Sequence, residues 1–391
     1  MRLSILRGRQ WPRTDLITFG ILEPMAVLLV LLTLSLAFAN GANDVSKGIA
    51  TLVGSGVAEF KRAVWWGTIW TVLGGLCAAL ASQGLVAAFS GKALLVLPQE
   101  GHQFLIAVAG GASLWVLFAS KSSLPVSTTH AITGALCGAG LMAAGPDGVQ
   151  WAAVVKKFAI PLFLSPLLSM GLIFFLSPLI RAAFGGFQKY CVCVEEGKGV
   201  CLRPAGAAAV AIADAPKLVL GEAAACAAEP ALLAQVNGMD ALHWLAAGLT
   251  SFARGLNDTP KILAMGAAAS AALGLGQPFL YVLVALAMGA GSAIWGFRVT
   301  ETLATKVTKM THAEGFSANL VTSVLVTFAS RLALPVSTTH VSSGAIIGIG
   351  LKKGGGGVHW GTVRDMLLAW LITLPVSALF AAGSYFLVSR L

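Results

Sequence analysis

The sequence predicts an all-α polytopic membrane protein made of two homologous halves of opposite orientation. Three observations point there: an apolar composition, a series of long uncharged stretches, and two motifs that each occur twice in the same order. Of the 391 residues, 57% are hydrophobic and 11% charged, and the mean hydropathy is +0.83. Soluble domains carry about a quarter charged residues, so a chain this apolar needs lipid as its solvent. A spanning helix requires about 20 apolar residues. The stretches 21–39, 63–82, 104–119, 158–180, 278–295 and 366–388 meet or approach that length.

The 45 glycines and abundant alanines suit helices that approach closely through small side chains. Alternating ten-residue strands are missing, which argues against a β-barrel. The formal net charge of +10 is not a nucleic-acid signature, because Lys and Arg sit mainly in short loops between apolar stretches. That is the distribution of the positive-inside rule, and no nucleic-acid partner is expected.

The repeat organises the chain. Asn40-Gly-Ala-Asn-Asp-Val-Ser-Lys47 returns as Arg254-Gly-Leu-Asn-Asp-Thr-Pro-Lys261. Pro125-Val-Ser-Thr-Thr-His130 returns unchanged as Pro335-Val-Ser-Thr-Thr-His340. Such spacing divides the chain into a first transmembrane repeat at 1–180, a linker at 181–240 and a second repeat at 241–391. The linker is rich in charged residues, and its alanine-rich pieces are too short to span. It reads as a soluble tether with a short helix. Cys191, Cys193 and Cys201 lie in it without zinc-ligand spacing, so reduced thiols are expected.

Loop charges indicate inverted halves. Lys61 and Arg62 follow the first Asn-Asp motif, whereas the corresponding 273–278 loop is uncharged. The next first-half loop, 85–102, holds only Lys92 and Glu100, but its counterpart carries Arg298, Lys306 and Lys309. The positive loops therefore swap sides, as in inverted-topology repeats. The third pair of loops does not discriminate. This arrangement puts the linker in the cytoplasm. A full crossing before Asn40 puts the N-terminus outside, against the positive-inside rule for Arg2, Arg7, Arg9 and Arg13; translation starting at Met25 or a re-entrant first element would resolve that conflict.

The motifs carry the chemistry. A carboxylate inside an apolar span is expensive and marks an ion site or a buried pair. Asn43, Asp44, Asn257 and Asp258 offer hard oxygen ligands suited to sodium, or a carboxylate able to take a proton. Gly41 and Gly255 would let the helix break there. Asp44–Lys47 and Asp258–Lys261 also have the i,i+3 spacing of a self-contained ion pair, and the two readings are compatible. In the second motif, Pro stops one helix and Ser or Thr caps the next. Half-helices starting near Ser127-Thr128-Thr129 and Ser337-Thr338-Thr339 would turn free N–H groups and hydroxyls toward an anion. An anion beside two carboxylates requires a cation between them, so cation-coupled anion symport is the expected mechanism. His130 and His340 could bond the anion, relay a proton or simply pack. No HExxH or other catalytic constellation accompanies the motifs, and carboxylates in the anion path argue against a passive channel.

Gly-Ala-Asn-Asp-Val-Ser and Pro-Val-Ser-Thr-Thr-His-Ala-Ile-Thr-Gly resemble the inorganic phosphate transporter family, sodium- or proton-coupled phosphate symporters, over nearly the whole chain. The resemblance implies re-entrant hairpins tipped by the Ser-Thr-Thr motifs and broken helices bearing the Asn-Asp motifs. It also implies that Asn43, Asp44, Asn257, Asp258, Ser127, Thr128, Thr129, Ser337, Thr338 and Thr339 surround inorganic phosphate and its coupling cation. Asn43, Asp44, Asn257 and Asp258 would serve as sodium ligands if sodium is that cation. No cofactor or catalysis is expected, and a homodimer in a bacterial inner membrane is compatible with it. Lys47 stands where many members of that family have Asn; some relatives move sulfate, which makes a sulfate permease the alternative.

Overall fold

A computed structural model describes residues 24–91, 94–95, 101–201, 210–222 and 232–390. The N-terminal arginines, Lys92, Glu100 and Cys226 lie outside the described residues. The first half runs α1 (Pro24–Asp44), α2 (Ser46–Gly54), α3 (Phe60–Ala81), α4 (Gln83–Phe89), α5 (His102–Lys121), α6 (Thr128–Ala144) and α7 (Ile160–Phe184). The second half runs α8 (Gly238–Ala272), α9 (Gln277–Trp295), α10 (Phe297–Thr305), α11 (His312–Arg331), α12 (Thr338–Lys352) and α13 (Trp360–Val388). Helices α1 and α2 together correspond to α8, and the remaining elements match one to one.

Among the described residues, six helical stretches are long and apolar enough to cross a membrane by length and composition. They coincide with the six stretches read from the sequence. Their outward faces are greasy: Phe175 is 74% exposed and Leu371 72%. In a membrane protein that surface faces acyl chains rather than water. The inward faces hold an unusual share of polar side chains, concentrated on the two motifs.

The halves interlock rather than sitting side by side. Helix α1 packs along α9, and α8 packs along α3. Helix α6 lies against α13, and α12 against α7. Each contact therefore has a counterpart in which the two halves exchange roles.

Two expectations need correction. Among the described residues the linker forms strands, which the sequence reading did not anticipate: β1 (Tyr190–Cys201) is flanked by β2 (Val210–Glu222) and β3 (Leu232–Asn237) in an antiparallel sheet of order β2-β1-β3. Residues of alternating character such as Tyr190-Cys-Val-Cys-Val194 suit a strand with one covered face. Cys191 and Cys193 share that face and are buried, with their sulfurs 3.2 Å apart.

The second correction concerns the helix breaks. The first Asn-Asp helix is irregular at Val45 between α1 and α2, but Val45 keeps helical dihedrals (φ −56, ψ −31) and its N–H bonds the Gly41 carbonyl at 3.2 Å, so the chain does not turn there. The second continues through the motif, with Pro260 inside α8. Pro260 removes one backbone donor, but packing of α8 against α1, α3 and α11 holds the helix together. Gly41 and Gly255 are not break points. They are helical positions of close approach. A methyl on Gly41 would lie 1.9 Å from the Met288 carbonyl oxygen of α9, and one on Gly255 would lie 2.2 Å from the Thr71 carbonyl oxygen of α3. Small residues there let backbones of opposite halves touch.

We expect Gly41→Ala to destabilise the detergent-solubilised protein by about 1–3 kcal/mol through overpacking. Gly171→Ala, with nothing within 4 Å of the added methyl, serves as the control and should leave the unfolding midpoint unchanged. Equal midpoints for the two variants would show that α1 and α9 do not rely on this contact.

Candidate anion-binding site at the junction of the two halves

The Ser-Thr-Thr motifs build two helix N-termini. Helices α5 and α11 end in left-handed residues, Ser123 (φ 59) and Ala333 (φ 53). The Leu124 N–H then returns to the Ala119 carbonyl and the Leu334 N–H to the Ala329 carbonyl. This is the usual way a helix stops with its last carbonyls satisfied. Extended backbone through the prolines leads to Ser127 and Ser337, whose hydroxyls accept from the N–H groups of His130 (3.2 Å) and His340 (3.3 Å). So α6 and α12 start at Thr128 and Thr338, with the serines as N-caps, as the residue types predict.

The two starts face one another. Thr129 Oγ1 donates to the Val336 carbonyl at 3.3 Å, and Thr339 Oγ1 donates to the Val126 carbonyl at 2.8 Å. Those contacts are mirror equivalents under the repeat. Both positive helix ends therefore converge on one region.

The asparagines clamp these turns. Asn43 Nδ2 donates to Ser120 Oγ (3.2 Å) and the Leu124 carbonyl (2.9 Å), and its Oδ1 accepts from the Val126 N–H (3.2 Å). Asn257 Nδ2 donates to the Val336 carbonyl (3.3 Å), and its Oδ1 accepts from Ser330 Oγ (3.1 Å). Each asparagine thus ties its own helix to the turn before the half-helix of the same repeat. Buried amides committed this way order the backbone around a site.

The carboxylates meet from opposite halves. Asn40 Nδ2 reaches Asp44 Oδ2 at 2.8 Å, Thr128 Oγ1 at 3.0 Å and Asp258 Oδ2 at 3.2 Å. Thr128 Oγ1 also donates to Asp44 Oδ2 at 3.3 Å. Each aspartate has a lysine three residues on: Lys47 Nζ lies 2.8 Å from Asp44 Oδ1, and Lys261 Nζ lies 3.2 Å from Asp258 Oδ1. Arg254, at the repeat position of Asn40, donates through Nη1 to Asn40 Oδ1 (3.3 Å) and through Nη2 to Thr71 Oγ1 (2.5 Å). Every one of the ten predicted site residues is buried, with Thr338 the most exposed at 4%. The site is closed on all sides.

Sequence reading missed several members. Asn40, Arg254, Lys47 and Lys261 were in the motifs but only the lysines were weighed, as ion-pair partners. Thr71, Ser120 and Ser330 lie on other helices. A buried arginine at the same repeat position as an asparagine was the available signal for the first two. His130 and His340 pack with ring centroids 4.5 Å apart, and His340 Nδ1 donates to the Leu162 carbonyl at 2.9 Å. Among the described residues, His130 Nδ1 and His340 Nε2 have no hydrogen-bond partner.

Interlocked helical halves around a closed polar core, with two helix N-termini and two carboxylates at the centre, define a polytopic membrane carrier for a small ion. The chain belongs to the phosphate transporter family, whose sequence profile matches residues 40–381. It is accordingly a transporter and not an enzyme. A probable low-affinity inorganic phosphate transporter of Bacillus subtilis is 26% identical over 95% of this chain and 99% of its own length. A putative phosphate permease of Pyrococcus abyssi is 27% identical over 92% of this chain and 97% of its own. The chloroplastic inorganic phosphate transporter 2-1 of Arabidopsis thaliana is 29% identical over 88% of this chain and 69% of its own. A solved sodium-dependent phosphate transporter has the same fold, with a TM-score of 0.74, 23% identity, and coverage of 94% of this chain and 99% of that one.

Removing one member of a buried pair strands its partner, at a cost of about 3–5 kcal/mol. Lys261→Met should therefore destabilise strongly, and Asp258→Asn added to it should restore much of the loss. Chemical denaturation in detergent measures the cycle. Additive losses for the two changes would contradict the pairing.

Proposed function

We propose that the protein imports inorganic phosphate across a bacterial inner membrane as a cation-coupled symporter. In this reading its halves are inverted-topology repeats, and α5–α6 and α11–α12 form re-entrant hairpins whose tips carry the Ser-Thr-Thr motifs. The observation that carries it is the meeting of both halves at one point. Asn40 Nδ2 binds Asp44, Thr128 and Asp258 together, while Thr129 and Thr339 cross to the opposite turn. The swapped loop charges and the exchanged helix contacts favour inversion.

The chemistry suits phosphate. At neutral pH it offers acceptor oxygens and at least one O–H. Helix N–H groups and the hydroxyls of Ser127, Thr128, Thr129, Ser337, Thr338 and Thr339 donate to the oxygens. Asp44 and Asp258 accept from the phosphate O–H. Sulfate has no proton to give, so a carboxylate opposes it. Asn43 and Asn257 act by holding the hairpin tips in place, and their carbonyl oxygens are available as cation ligands when the tips move. The closed state described above corresponds to the occluded step of alternating access, and rocking of one half against the other would open it to either side. Phosphate-transporter relatives spanning most of the chain favour phosphate over sulfate.

Purified protein in proteoliposomes should accumulate radiolabelled phosphate, with about tenfold excess sulfate changing the rate less than twofold. Asp44→Asn or Asp258→Asn should abolish accumulation, and Thr128→Val or Thr338→Val should weaken phosphate binding by about 1–3 kcal/mol. Equal inhibition by phosphate and sulfate would overturn the phosphate assignment. Full accumulation by both Asp variants would overturn the role of the carboxylates.

A further inference from the structure

Two ammonium groups occupy the places where a site of this geometry would hold cations. Lys47 Nζ is surrounded by the Asn43 carbonyl oxygen at 2.7 Å, Asn43 Oδ1 at 2.8 Å and Asp44 Oδ1 at 2.8 Å. Lys261 Nζ has the Val336 carbonyl oxygen at 2.8 Å, Thr129 Oγ1 at 2.8 Å and Asp258 Oδ1 at 3.2 Å. Each ammonium spends its three N–H donors on three oxygens: a backbone carbonyl, a neutral side-chain oxygen and a carboxylate. Those are the oxygen types a dehydrated sodium ion would take from the same motif. Both lysines are at most 1% exposed, so neither reaches water or a lipid headgroup.

We propose that Lys47 and Lys261 are tethered cations that replace sodium at the site, so that this protein loads and carries phosphate without sodium. The inference rests on the phosphate-transport reading above and selects its coupling ion. Charge supports it. The closed core contains Asp44 and Asp258 against Lys47, Lys261 and Arg254, all within 2% of complete burial. With their ordinary charges these five leave one surplus positive charge. His130 and His340, the other titratable groups packed nearby, are neutral imidazoles in this count. A single monovalent anion brings the core to neutrality. Adding sodium to that loaded core would restore an uncompensated charge in a low-dielectric interior, which costs several kcal/mol. Carrying the monoanion of phosphate is thermodynamically the same as carrying its dianion together with one proton. Coupling to the proton gradient then follows from the form of phosphate that is bound.

The oxygens around each lysine also explain why the carboxylates do not expel the anion. Asp44 Oδ1 and Asp258 Oδ1 each face an ammonium, and both Oδ2 atoms face Asn40 Nδ2. The negative charge is consumed locally, leaving Arg254 as the unpaired positive group behind Asn40.

The test compares proteoliposomes containing the full chain in sodium and in choline buffers of equal pH and ionic strength. We expect initial phosphate uptake by the wild type to agree within about twofold between the two. Uptake more than about tenfold lower in choline would overturn the proposal while leaving phosphate transport intact. Uptake in neither buffer would instead defeat the phosphate-transport reading. Lys47→Ala vacates the first ammonium position and exposes three oxygens to a free cation. Its thermal unfolding midpoint in detergent should be lower than that of the wild type in choline and recover in sodium, a linkage that the wild type should lack. A Lys47→Ala protein equally stable in both buffers would contradict a cation position there.

Discussion

Everything in this structure turns on the cost of charge in an apolar interior. Five ionisable side chains sit at the crossing of two halves, and none is more than 2% exposed. Such a cluster is costly unless its charges are paired and its remaining lone pairs and N–H groups are hydrogen-bonded. The i,i+3 spacing of Asp44 with Lys47 and of Asp258 with Lys261 meets the first condition within one helix for four of the five, and Arg254 is left without a carboxylate partner. The second is met in large part across halves, through Asn40 to Asp258, Lys261 to Thr129, and Arg254 to Thr71, while Arg254 Nε has no partner among the described residues. The site is thus also a polar bond between the repeats. Binding and conformational change cannot be separated in such a design, because moving one half against the other must rebuild this network.

Close backbone contact is the second requirement, and it follows from the first. Hydrogen bonds near 2.8 Å between helices need the helices to approach within a narrow tolerance. Gly41 against α9 and Gly255 against α3 provide that approach one turn before the aspartates. The same glycine in each repeat touches the helix of the opposite half, so the duplicated sequence makes one interface twice. Helix α8 keeps its continuity despite Pro260, whereas the equivalent chain has a one-residue irregularity at Val45. The two copies therefore share a contact pattern without sharing identical backbones.

Much of this was legible in the residues. Hydropathy located the six stretches whose outer faces meet lipid, because such helices must be apolar for their whole length. It did not locate α6, α8, α11 and α12, whose polar motif residues or short length lower the average. Duplication located those instead. The half-helix starts at Thr128 and Thr338 followed from proline and serine chemistry that acts within a few residues. Long-range partners were not legible: nothing local ties Asn40 to Asp258 or Thr339 to Val126. Gly41 and Gly255 were misread because glycine permits both a break and a close contact, and only the neighbouring helix decides which. The sheet of the linker was hidden by an alanine-rich composition that favours helix locally, although Tyr190–Val194 alternates.

The central claim is that the two helix N-termini and the two carboxylates enclose one phosphate. Arsenate, a tetrahedral analogue with anomalous scattering, locates that anion directly in crystals of the protein. The account predicts one arsenic peak between the first turns of α6 and α12, within hydrogen-bond reach of Thr128 or Thr338 and beside Asp44 or Asp258. A peak remote from both turns, with none between them, would contradict it.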